Sequence, residues 1–195
     1  MLKKLTGSLM LATMLAAAPV ATLAQEFNLR ATANSNENDE DYDGLIVFKN
    51  FVEQASNGRI GVESFMGTQL CSNGTECTQG VADGAIDVVI LTSSGAAGAF
   101  PYVQVFDLPY LMADDRVAEA VLETDTPFMD LLQSKVLEDS QGAIRLMTIG
   151  NTGGWRNFAN TERRVTGPTD MNGLKMRTVV ADLPVQLVEA MGASA

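Results

Sequence analysis

The chain has 195 residues, with 24 Asp and Glu against 13 Lys and Arg, no His, and a formal net charge of −11. An apolar fraction of 46% with 19% charged residues is that of a globular protein able to bury a core, in one or two domains. So acidic a chain lacks the basic footprint that phosphate contacts need, which excludes nucleic acid as a partner. The absence of His excludes Ser-His-Asp and Cys-His nucleophile systems and His-based catalytic zinc, while paired carboxylates remain open.

Met1-Leu2-Lys3-Lys4 is a basic opening, Leu5 to Val20 is mostly apolar, and Thr22-Leu23-Ala24 ends on a small residue. Residues 1–24 therefore read as a secretory signal cleaved before Gln25, and Gly7, Ser8 and Pro19 count against an uncleaved anchor. The signal takes two lysines and no acid with it, leaving the remainder more negative. The expected location is periplasmic.

Phe27, Leu29, Ala31 and Ala33 alternate with polar residues as a strand, followed by the polar loop Asn34-Ser35-Asn36-Glu37-Asn38. Tyr42 to Ala55 has helical apolar spacing and a stop at Asn57-Gly58, and Arg59 to Phe65 reads as the next strand. The two cysteines, Cys71 and Cys77, lie close in sequence. In an exported chain that favours a local disulfide, and without His they cannot complete an ordinary zinc site. Thr75 to Asp83 is a short helix ended by Gly84. The run Ile86-Asp87-Val88-Val89-Ile90-Leu91 suits a strand buried on both faces. The order β-α-β-α-β predicts a parallel α/β sheet with right-handed crossovers.

In open parallel sheets ligands sit beyond the carboxyl ends of the strands. Two such ends are Asn34-Ser35-Asn36 and Thr92-Ser93-Ser94, both rich in small hydrogen-bonding groups that also serve ordinary turns. Asp107-Leu108-Pro109-Tyr110 is a rigid turn. Asp114 and Thr126-Pro127 each start a packing helix, the second carrying Phe128, Leu131, Leu132 and Val136. Ala143 to Ile149 alternates as a strand. Beyond it, Gly150 to Arg177 gathers Trp155, Arg156 and Arg177, and Leu174 to Val179 alternates again, placing Arg177 inside a strand. Asp182 to Met191 is a capped helix with a stop at Gly192.

Two motifs are weak. Asp39-Glu40-Asp41-Tyr42-Asp43-Gly44 begins like a calcium loop, but its twelfth position is Asn50, so these acids fit a helix N-terminus better. The glycines at 95–98 and 150–154 lack both dinucleotide and P-loop patterns. Arg156 and Arg177 each offer a bidentate fork for a carboxylate; the residues alone leave a ligand clamp and a structural ion pair equally open.

Ser56-Asn57-Gly58-Arg59-Ile60-Gly61-Val62, Gln69-Leu70, Gln79 to Asp87, Phe106-Asp107-Leu108-Pro109-Tyr110, Arg156 with Asn160, and Gly173-Leu174-Lys175-Met176-Arg177 are jointly informative in order and spacing. Through them the chain resembles the DctP-like solute-binding receptors of tripartite ATP-independent periplasmic (TRAP) transporters. The resemblance implies a two-lobed α/β receptor closing over an organic acid without cofactor, acting as a monomer beside membrane transport subunits and catalysing nothing. It implies Arg177 as the main carboxylate clamp with Arg156 assisting, and Trp155, Asn34, Ser35, Asn36, Thr92, Ser93 and Ser94 as cleft lining. Val179 and Val180 depart from the Pro-Asn of sialate-binding members, and the cysteine pair is a subgroup trait rather than a general feature. Family members are longer by about half. Residues 25–150 would then form the first lobe and 151–195 only the start of the second, with weak or absent ligand binding and exposed apolar surface. The rival readings are a periplasmic carboxylate-dependent hydrolase and a ligand-sensor domain.

Overall fold

The computed structural model describes residues 25–151, 154–179 and 181–195; residues 1–24, expected from sequence to be a secretory signal, and Val180 lie outside them. Strand β1 (Phe27–Ala33) occupies the middle of a three-stranded parallel sheet, with β2 (Ile60–Met66) on one side and β3 (Val88–Ile90) on the other. The register runs from Phe27 opposite Ile60 to Ala33 opposite Met66, and from Ala31 opposite Val88 to Ala33 opposite Ile90.

Alternation along the strands splits their side chains between two apolar layers. Ala31, Ala33, Val62 and Met66, with Leu29, Val88 and Ile90, pack against Leu45, Phe48 and Val52 of helix α1 (Glu40–Ala55). On the opposite face Ile86, Val89 and Leu91 meet the Cys71–Cys77 disulfide and helix α2 (Gly74–Ala82). Strand β3 is thus apolar on both faces as its sequence predicts, but it is three residues long and half-buried.

Local chemistry sets the boundaries. Three acidic residues in the first turn of α1 complement its dipole, and Asn57 and Gly58 end it in left-handed conformations, φ 53° and 77°. Asp87 fixes the start of β3: its carboxylate accepts the Arg30 backbone N–H and Nε, while its own N–H donates to the Arg30 carbonyl. Burial pushes that carboxyl up, but the Arg30 bonds outweigh it and hold it below the usual range. Asn73 caps α2 by accepting the Glu76 N–H, and the Glu76 carboxylate reaches back to Ser72. Helix α3 (Ser93–Ala96) lies against α2 so closely that a Cβ on Gly74 would sit 2.1 Å from the Gly95 carbonyl oxygen.

A 3₁₀ segment, Pro101–Asp107, and helices α4 (Asp115–Leu122) and α5 (Pro127–Asp139) follow, the helices capped by Asp114 and Thr126 as expected. The buried stripe of α5 is Met129, Leu132 and Val136; Phe128 and Leu131 face outward. Ala143 to Ile149 forms no strand. Ile144, Leu146 and Ile149 do pack on the α5 cluster, but no parallel or antiparallel ladder pairs this backbone among the described residues. Periodicity reported which side chains face the core, and a strand also needs a neighbouring backbone.

Residues 165–194 carry a small core of their own, Met171, Leu174, Met176, Val188 and Ala193. Leu174 and Met176 are buried and Lys175 and Arg177 exposed, the alternation expected. Among the described residues pairing here is limited to one parallel bridge, Lys175 to Ser194, with helix α6 (Asp182–Ala190) between its two arms. Arg177 therefore lies just past this bridge on an exposed face, not inside a strand.

Candidate functional site

The carboxyl ends of β1 and β3 carry the polar groups singled out by sequence. At β1, Asn34 Oδ1 lies 3.1 Å from Cys77 Sγ and 3.6 Å from Cys71 Sγ. The Ser35 carbonyl accepts the Gly67 N–H, and its buried hydroxyl has no partner among the described residues. Asn36 serves the local turn, its Oδ1 accepting the Asn38 N–H and its N–H donating to Asp39. At β3, Thr92 caps α3 by accepting the Gly95 N–H. Ser93 and Ser94 donate their hydroxyls to the two carboxylate oxygens of Asp107, at 2.5 and 2.7 Å. Asp107 is the residue that sequence reading passed over as part of a turn; only the approach of the 3₁₀ segment to α3 gives it this role.

Trp155 donates its indole N–H to Asp115 at 3.0 Å and stays half-exposed. Arg156 and Arg177 are exposed, and among the described residues neither makes an ion pair. The ion pairs present are Arg30–Asp87, Lys49–Glu53, Arg59–Glu26, Arg116–Asp114 and Lys135–Asp139. Arg145, Arg163 and Arg164 likewise make no ion pair among the described residues. No hydrogen bond among the described residues joins Arg156 or Arg177 to the strand ends. Thr152 and Gly153, within the same segment, lie outside the described residues.

Sequence reading also missed a concavity of about 640 Å³, which runs along the outer edge of β2 beneath α1. None of the predicted site residues lines it. Glu37, Glu53 and Glu63 border it against Lys49 alone, so it is the wrong sign for an anion. Gln104 was missed as well: its Oε1 accepts the Leu183 N–H at 3.1 Å, tying the start of α6 to the 3₁₀ segment across a hollow of about 330 Å³. Among the described residues no cluster of three His, Cys, Asp or Glu suited to a metal occurs, and no helix is long and apolar enough to cross a membrane.

Residues 31–195 match the DctP family model, bacterial extracellular solute-binding protein, family 7. A solute-binding protein of Verminephrobacter eiseniae is 29% identical over 172 residues, 88% of this chain and 49% of that protein. The 2,3-diketo-L-gulonate-binding periplasmic protein YiaO of Escherichia coli is 27% identical over 193 residues, 99% of this chain and 56% of that one. The chain thus spans about half the length of the curated relatives it matches. Among solved structures, a TRAP periplasmic solute-binding protein of Chromohalobacter salexigens with bound D-glucuronate superposes with a TM-score of 0.74 at 21% identity, over 85% of this chain and 53% of that one.

Proposed function

The chain belongs to the DctP family of bacterial extracellular solute-binding proteins, and on that premise we propose that it captures a small carboxylate-bearing molecule in the periplasm for TRAP-type transport. The observation that carries this reading is Arg177, exposed beside the Lys175–Ser194 bridge with no acidic partner among the described residues. A guanidinium left unpaired in an acidic chain is available to a ligand carboxylate, which it holds through two parallel N–H bonds. Arg156 and Trp155 assist from the preceding segment, and Asn34, Ser35, Asn36, Thr92, Ser93 and Ser94 face the rest of the ligand from the strand ends. Residues 25–150 make the first lobe and 151–195 the beginning of the second. The protein performs no bond chemistry; membrane subunits of the transporter receive the ligand. Relatives that bind 2,3-diketo-L-gulonate and D-glucuronate support an organic acid as cargo.

The test is an NMR shift titration with D-glucuronate and with D-glucuronamide, which differ only at the carboxyl group. Perturbation of the Arg177 Nε–H by the acid and not by the amide is the expected result. Equal response to both overturns the carboxylate reading; response to neither is the weak or absent binding expected of residues that span about half the length of their relatives.

A further inference from the structure

We infer that Gln104 is a positioning residue of the carboxylate-capture site: from the 3₁₀ segment it supplies the cap that helix α6 lacks, and through α6 it fixes the arm carrying Arg177 relative to the strand ends of the sheet. The functional part of this inference rests on the carboxylate-capture reading; the tie itself does not.

The start of α6 explains why a distant acceptor is needed. Its N-cap is Ala181, whose side chain has no oxygen, and Pro184 stands in the first turn with no N–H. The Leu183 N–H is thus a first-turn donor without a local side-chain acceptor. Gln104 Oε1 accepts it at 3.1 Å, from 79 positions away in the chain. The orientation of the amide follows from its two partners: an N–H must face the oxygen, and Nε2 donates to the Pro101 carbonyl of the same segment at 3.4 Å.

Each end of this bond belongs to a part that is internally fixed. On one side, Asp107, at the end of the same 3₁₀ segment, accepts the Ser93 and Ser94 hydroxyls, and Val103 of that segment is buried in the α5 cluster. On the other, Val188 of α6 packs with Leu174 and Met176. The Met176 N–H donates to the Ser194 carbonyl at 2.7 Å and the Ser194 N–H to the Leu174 carbonyl at 2.8 Å. Arg177 directly follows Met176, so it moves with α6. Among the described residues, Gln104 to Leu183 is the only hydrogen bond that joins residues 165–194 to residues 25–151, and no ion pair does so.

One bond at a helix start therefore carries the polar connection between the strand ends and the arginine arm. A bidentate carboxylate contact needs its planar fork in one place. Loosening the tie spreads Arg177 over positions from which it cannot meet a ligand held at the strand ends.

The test reads the tie without ligand, so its failure is a separate result from failure of the carboxylate reading. Nitroxides on Gln54→Cys and Glu189→Cys, both exposed positions, report the distance from α1 to α6 in the whole chain by double electron–electron resonance; the native cysteines are paired and take no label. One narrow distance is expected with Gln104 present. Gln104→Ala should raise the share of a second, broad component about fivefold or more, the worth of one hydrogen bond to an otherwise open donor. Gln104→Ala with Ala181→Ser, which gives the Leu183 N–H a local acceptor and recaps the helix, should stay as broad as Gln104→Ala alone. A distribution that Gln104→Ala leaves unchanged, narrow or broad, overturns the proposal. A return to the narrow distance in the double variant overturns it too, because Gln104 is then a cap for α6 and nothing more.

Discussion

Glu53 accepts the backbone N–H of Val62 at 3.0 Å, closing the open edge of β2 from helix α1. One turn away on either side, Lys49 donates to the Val62 carbonyl and Ser56 accepts the Ile60 N–H. Three side chains at helical spacing thus occupy backbone groups that an edge strand otherwise offers to another chain.

The Val62 N–H, followed by Lys49, holds the Glu53 carboxyl below its ordinary pKa. A depressed folded value means stability that is present above the ordinary glutamate pKa of about 4.3 and lost as pH falls through the lower folded value. Glu53→Gln retains an acceptor but no charge. It is expected to lower the urea midpoint at pH 7 and to leave a smaller difference from wild type at pH 3.

Gly74→Ala should be strongly destabilising, by about 2 kcal/mol or more, because the new methyl meets the Gly95 backbone rather than a side chain that can rotate away. Gly58→Ala, where nothing lies within 4 Å of the added carbon, provides a comparison that carries only the left-handed backbone penalty of about 1 kcal/mol. Denaturant midpoints of the two variants should differ accordingly.

Reducing the Cys71–Cys77 bond should cost about 2 kcal/mol on the chain-entropy account of so short a loop. Reduction leaves both sulfur atoms in the cluster with Ile86, Leu70 and Val81, so it isolates the cross-link from the packing. Urea melts with and without reductant measure it; Cys71→Ala with Cys77→Ala should lose more.

Arg177→Lys should weaken binding of D-glucuronate by about tenfold, and Arg177→Ala by about a hundredfold, since the lysine keeps a charge but not the parallel donors. The exposure of Arg177 makes the folding stability of both variants close to wild type. An unchanged dissociation constant in Arg177→Ala removes this residue from the site.

The β-α-β-α-β order and the two helices after it were legible because each element carries its own signal: the alternation of β1, the Asn57-Gly58 stop, the Asp114 and Thr126 caps. Where a signal reports only one requirement of an element, the reading overshot. Ile144, Leu146 and Ile149 alternate and pack as a strand does, yet their backbone finds no ladder partner among the described residues. The site shows the same division. Asn34, Thr92, Ser93 and Ser94 were singled out by their position after strands, whereas the hydrogen bonds that engage Ser93 and Ser94 go to Asp107, more than ten residues away.

The sequence by itself determined the acidic class, the parallel α/β order, the disulfide pairing and the arginines worth testing, because these depend on composition, short-range periodicity and local spacing. Tertiary structure decided which of those groups have hydrogens or charges left to spend. That depends on partners distant in the chain: Asp107 over Ser93 and Ser94, and no acid at Arg177 among the described residues. Hydrogen-bond capacity is a property of neighbours in space, and a single sequence lists only neighbours along the chain.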